Sequence, residues 1–161
     1  MPVVPEELSK FPIIPGEQGD DGISFAGKYK ISLMFNYTRS FSSFSVNDLK
    51  KAKDFYQQKL GLETTETPEG VLSVRVGNDA NVLLYPKEDH RPATFTVLNF
   101  QVSNIEETVD NLTASGISFL QYKGDLQTDK KGIFRGPVGP KIAWFTDPAG
   151  NILSVLERNS N

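Results

Sequence analysis

The chain carries a single histidine and no cysteine. His90 stands in Glu88-Asp89-His90-Arg91, where an imidazole flanked by carboxylates could hold a metal ion or act as a general base. Adjacent residues in a loop rarely converge on one point, however, and His90 reads as a surface residue. Ser42, Ser43 and Ser45 are nucleophiles by type. With no neighbouring His or Lys to activate them, the sequence does not support nucleophilic catalysis. Trp144, the one tryptophan, could stack on a flat ligand or anchor a core. Arg135, in Gly132-Ile133-Phe134-Arg135-Gly136-Pro137, could reach an anionic ligand, although most loop arginines are solvated. The missing cysteines exclude disulfides, thiolate metal sites and a cysteine nucleophile, and they fit a cytoplasmic protein.

Length and charge narrow the function classes further. The 161 residues suffice for one domain, or for two half-size modules that share a core. The formal net charge is −3, with Lys and Arg scattered among Asp and Glu, so there is no basic stripe to suggest nucleic acid as a partner. No apolar run is long enough to span a bilayer. The N-terminus opens with Pro2, Pro5, Glu6 and Glu7 rather than the basic-then-apolar order of a signal peptide.

The elements that must position these residues show a repeat. Residues 1–33 carry Pro2, Pro5, Pro12 and Pro15, then Gly16, Gly19, Gly22 and Gly27, and read as an arm or partly disordered tail. The compact domain is expected over residues 34–158. Strand-like sequence runs from Ile31 to Val46, interrupted around Asn36–Arg39. Asn47 or Asp48 then caps a helix that places Leu49, Ala52, Phe55, Tyr56 and Leu60 on one face and stops at Gly61. The Lys50, Lys51 and Lys53 group is its solvated side. Strands are expected at 62–67, 71–76 and 82–86, and Pro86–Pro92 forms a polar connector. The pattern then restarts with a strand at Phe95–Val102. A helix follows from Asn104 bearing Ile105, Val109 and Leu112, with a stop at Gly116. A strand at Ile117–Tyr122 and a long loop over 123–140 lead to a final hairpin. Its two apolar runs flank Asp147-Pro148-Ala149-Gly150-Asn151, a set of residues suited to a tight turn. A weaker echo, Gly77-Asn78-Asp79-Ala80-Asn81, lies in the first half. The two helix caps, Asp48 and Asn104, are 56 residues apart. The fold class is therefore α+β, two tandem βαβββ modules over about 34–87 and 94–158.

With Val46-Asn47-Asp48-Leu49, Ala52, Phe55-Tyr56, Leu60-Gly61-Leu62 and the Asp147–Asn151 turn in place, the chain resembles the vicinal oxygen chelate superfamily. That family includes glyoxalases, extradiol dioxygenases, fosfomycin-resistance transferases and bleomycin-binding proteins. The resemblance covers residues 35–158 and implies strands curled into a cup around a ligand site. In metal-using members four strands each give the cup a His, Glu or Gln. By resemblance those positions fall here on Phe41, Leu83, Val97 and Ser154. None is a credible ligand, and neither are the neighbours Ser40, Ser42, Leu84, Thr96, Leu98, Leu153 and Val155. The expectation is a member with neither metal nor other cofactor.

Strand alternation places Phe41, Ser43 and Ser45 on the cup face. Leu83 and Tyr85, then Phe95, Val97, Asn99 and Gln101, then Ile152, Ser154 and Leu156 join them from the other strands. For Leu83, Val97 and Leu156 simple core filling is the better reading. Asn99 and Gln101 stand out because a buried amide needs a partner. The residues expected to line the pocket are Phe41, Ser43, Ser45, Tyr85, Asn99, Gln101, Arg135, Trp144 and Ser154. The favoured function is binding of an apolar or aromatic small molecule, as in the sequestering members of the family, with a homodimer implied by the resemblance alone. A metal-dependent lyase, isomerase or dioxygenase drawing on Glu157, His90 or Asp89 ranks second. An interaction module using the N-terminal arm ranks third.

Overall fold

The computed structural model describes residues 40–78 and 80–158, together with two short strands, β1 (Ile14–Pro15) and β2 (Tyr29–Lys30). The chain divides into two compact units, Met1–Ser40 and Phe41–Asn161. In the first, β1 and β2 pair antiparallel, Ile14 opposite Lys30. The rest of the expected arm and the strand-like run over 31–39 lie outside the described residues.

The second unit is the tandem repeat. Its first module comprises β3 (Ser42–Val46), helix α1 (Leu49–Asp54), β4 (Thr64–Glu66), β5 (Leu72–Arg75) and β6 (Asn81–Pro86). Its second comprises β7 (Thr96–Gln101), helix α2 (Ile105–Ala114), β8 (Ile133–Phe134), β9 (Lys141–Thr146) and β10 (Ile152–Glu157). The four-stranded sheets have matching orders, β3-β6-β5-β4 and β7-β10-β9-β8. In each, the first strand runs parallel to the last and the other pairs are antiparallel. This is the α+β fold of two βαβββ modules forming a cup-shaped mixed sheet.

Local chemistry sets the helices. Asp48 is extended and its Oδ1 accepts from Lys51 N at 2.9 Å; Asn104 does the same for Glu107 N at 3.2 Å. Each cap satisfies a backbone donor that has no partner inside its helix. The first helix does not end as a regular one. Over Phe55–Lys59 its last turn widens, so that Leu60 N bonds back five residues to Phe55 O at 3.1 Å. Gly61 follows at φ 68°, a conformation that glycine accepts without steric cost.

The apolar helix faces build the core with one face of each sheet. Ala52, Phe55 and Tyr56 pack with Leu72, Val74, Val82 and Leu84, and Ile105 and Val109 with Ala143, Phe145, Leu153 and Val155. Phe145 joins the two sets, its ring 6.5 Å from that of Phe55 and 5.6 Å from that of Phe119. Burying such a side chain is worth about 1.5–3 kcal/mol, so the shared core binds the modules into one domain.

One expected strand is reduced. The backbone of residues 117–122 joins β9 at the Phe119–Phe145 bridge and through a bond from Leu120 N to Trp144 O, short of a full strand pairing. Tyr122 N then turns to Thr128 Oγ1 at 3.0 Å, which carries the chain off the sheet edge. The segment expected to be a plain loop supplies the missing edge, as β8 pairs with β9.

Candidate functional site

With even-numbered residues of β6 and odd-numbered residues of β10 turned to the helices, alternation sends the others to the open face of each sheet. In the second module the register sets Trp144, Ser154 and Asn99 side by side on β9, β10 and β7. Ser154 is fully buried, and its Oγ donates to Asn99 Oδ1 at 2.6 Å. That bond orients the amide, since a carbonyl oxygen held as acceptor leaves the NH₂ group facing elsewhere. Beside this row, Trp144 is flanked by Tyr122, edge-on at 5.4 Å, and by Phe134 at 6.2 Å. Three aromatic rings and a fixed amide therefore share one patch. Its chemistry suits a flat, largely apolar molecule with a hydrogen-bonding edge.

The first module's open face is more polar at its β3 side. Ser43 lies opposite Leu83 and Ser45 opposite Tyr85. Phe41 is 60% exposed and Tyr85 39%, both unusual for large apolar rings. Asn99 and Gln101, expected to be buried amides, are exposed. The register sets Asn99 beside Ser154 on the face away from the helices, where both amides reach solvent.

Arg135 does not join this group. Its guanidinium pairs with the carboxylates of Asp129 and Glu106, next to Lys131, which bridges Glu106 and Asp110. The acidic residues named for a metal are likewise engaged. Glu157 accepts from Lys141 Nζ at 2.8 Å and from Ile105 N at 2.8 Å. Lys141, and then the Ile105 amide, hold its carboxyl below the usual range. Asp89 pairs with Lys87 at 2.8 Å. Among the described residues no three His, Asp or Glu side chains gather where a metal ion could sit.

His90 departs furthest from expectation. Half-buried rather than a surface residue, it bridges the modules: Nε2 lies 2.9 Å from Ala149 O and Nδ1 2.8 Å from Ser45 Oγ. The Ala149 carbonyl can only accept, so Nε2 carries a proton, which leaves Nδ1 as the nitrogen able to accept from the serine hydroxyl. The 45-residue separation hid this pair from any argument based on sequence neighbours. Around it the terminal turn docks on β3, as Asn151 Nδ2 donates to Ser45 O at 3.0 Å. Asp147 Oδ1 accepts from Ala149 N and Asn151 N, and its Oδ2 from Asn151 Nδ2 and Tyr56 Oη. Burial, reinforced by the Asp147 charge, pushes the Tyr56 phenol far above its ordinary range.

Comparison with known proteins agrees with this architecture. Residues 25–155 match the Glyoxalase/Bleomycin resistance protein/Dioxygenase superfamily. A member of that superfamily from Sphaerobacter thermophilus is 25% identical, with a TM-score of 0.58 over 78% of this chain and 100% of its own. An antibiotic binding protein from Streptomyces sp. CB03234 is 23% identical, with a TM-score of 0.56 over 78% of this chain and 100% of its own. A lactoylglutathione lyase from Agrobacterium tumefaciens is 20% identical, with a TM-score of 0.56 over 76% of this chain and 94% of its own. No curated protein matches the chain.

Proposed function

The chain belongs to the Glyoxalase/Bleomycin resistance protein/Dioxygenase superfamily, and we propose that within it this protein binds an apolar or aromatic small molecule in its cup without a metal ion. The observation that carries this reading is the Tyr122–Trp144–Phe134 cluster beside the Ser154–Asn99 pair. It offers stacking surface and one oriented amide. A divalent cation needs imidazole or carboxylate donors, and the four positions of resemblance supply phenyl, alkyl and hydroxyl groups instead. The residues present do not fit a metal. A solved antibiotic binding protein shares the fold, and a stacking pocket with no redox or Lewis-acid group is what sequestration requires. Phe41, Ser43, Ser45, Tyr85 and Gln101 complete the lining from the neighbouring strands. A homodimer, which the resemblance implies, and a cytoplasmic location, which the lack of cysteine fits, belong to the same reading.

Trp144 is the sole tryptophan, so its emission reports directly on the cup. Titration with bleomycin and with a panel of planar aromatic compounds is expected to quench that emission and raise the unfolding midpoint, because a ligand that binds the native state alone stabilises it. Chelator should change neither result. If chelation lowers the midpoint and one added divalent ion per chain restores it, the metal-dependent enzyme takes the place of the binder.

A further inference from the structure

The Ser45–His90 pair has the parts of an activated nucleophile. Such a site needs a hydroxyl within hydrogen-bond reach of a base, and a third group that orients the base. Ser45 Oγ lies 2.8 Å from His90 Nδ1, and Ala149 O holds the opposite ring nitrogen at 2.9 Å. That carbonyl fixes the tautomer in which Nδ1 is free to take a proton, and its dipole favours the imidazolium that results. The third group is itself anchored. Ala149 N bonds to Asp147 Oδ1 at 2.9 Å, and Gly150 packs so closely on Pro92 that an added Cβ would sit 3.2 Å from its ring. The serine backbone is held as well, by Asn151 Nδ2 on its carbonyl. Ser45 and His90 are both half-buried, and Ser45 shares the open face with Ser43 and exposed Tyr85.

We propose that Ser45, with His90 as its base, is an acyl-accepting nucleophile for activated carboxylic esters, including aryl esters and strained lactones. Ser45 Oγ bonds to the carbonyl carbon as its proton passes to His90 Nδ1. The bond from that carbon to the leaving oxygen then breaks, and the imidazolium returns the proton to the departing alkoxide or phenoxide. The net products are an acyl-serine and an alcohol, with no oxidant, metal or co-reactant consumed. Water can enter by the same route in reverse roles, with His90 taking its proton, and releases the acid. This step is independent of whether the cup binds its molecule by stacking, so either proposal can fail alone.

The experiment is active-site labelling of the full-length chain with p-nitrophenyl acetate and with an alkyl fluorophosphonate, read by intact mass and peptide mapping. The expected result is one adduct per chain, mapped to Ser45 and absent from urea-unfolded protein. The His90→Gln variant separates chemistry from architecture. Its amide can still accept from Ser45 and donate to Ala149, but it cannot take a proton. Its unfolding midpoint should stay near that of the parent while labelling slows by about 10²–10⁴-fold, the usual contribution of a general base. No adduct on Ser45 in the unsubstituted protein overturns the proposal without recourse to any variant. An adduct that forms equally fast in His90→Gln or in unfolded chain overturns it too, and leaves the pair as a clamp between modules.

Discussion

The two modules close on turns of similar composition that have opposite fates. In the first, Gly77 and Asn78 are exposed and the hairpin is held by Val76 N on Ala80 O at 2.9 Å. In the second, Asp147 is 4% exposed and Asn151 2%, and the turn is tied to β3, to α1's widened end and to the connector through His90. The first turn is thus closed by a bond between backbone groups, whereas in the second the Asp147 side chain bonds its own backbone and a neighbouring element at once. Duplication gives symmetric topology; the buried side-chain bonds fall on the turn that meets the other module.

If the comparison is right, the largest effect comes from Asp147→Ala. The substitution strands the Tyr56 hydroxyl and the backbone N–H groups of Ala149 and Asn151 in the interior, and leaving buried donors without a partner is among the costliest single changes. A loss of about 3 kcal/mol in urea unfolding is expected. Asn78→Ala, in the exposed counterpart, should stay within about 0.5 kcal/mol of the parent. Equal losses at both sites would erase the distinction.

Glycine substitution sharpens it further. Gly150 (φ 86°) and Gly70 (φ 75°) both require the left-handed region, which costs a residue with a Cβ about 1–2 kcal/mol. At Gly70 an added Cβ meets nothing within 4 Å, whereas at Gly150 it meets Pro92 Cβ at 3.2 Å. Gly150→Ala should therefore lose about 2 kcal/mol and Gly70→Ala about 1 kcal/mol. Reversal of that order would mean that the connector is loosely seated on the turn.

How much of this was legible in the sequence follows from range. Helix caps, glycine stops and the terminal turn are local, and Asp48, Asn104, Gly61 and Asp147–Asn151 announce them by type and spacing. Strand alternation, also local, sorts Ser154 and Asn99 to one face, while for Trp144 the sequence leaves ligand stacking and core anchoring both open. The sequence could not show that Ser45 and His90 meet, because their contact depends on how the connector and the terminal turn dock across modules. Nor could it show that Arg135 spends its charge on Asp129 and Glu106, residues on different elements. The widened turn at Phe55–Lys59 leaves no signature in residue type, and the weakness of the strand at 117–122 depends on Thr128 capturing Tyr122 N.

The smallest effect is the most diagnostic of the junction. Tyr56 on the first helix corresponds, counting from the caps, to Leu112 on the second, so only one module carries a hydroxyl at this point. Tyr56→Phe removes one of four bonds to the Asp147 carboxylate and should lose about 1 kcal/mol near neutrality. The phenol is raised in the folded state above its ordinary value of 10.0, so the folded chain keeps its proton where the unfolded chain gives it up. Its stabilising contribution is complete below pH 10 and falls above it, by about 1.4 kcal/mol on reaching pH 11. Urea unfolding of the parent and of Tyr56→Phe across pH 8–11 should then converge and cross, with the phenylalanine variant the more stable at the alkaline end. Parallel curves would show that water reaches the phenol in the folded state, and that the junction is not the dry contact its partners imply. The Leu112→Ala variant provides the contrast: it loses stability by the same amount at every pH, because a packing loss titrates nothing.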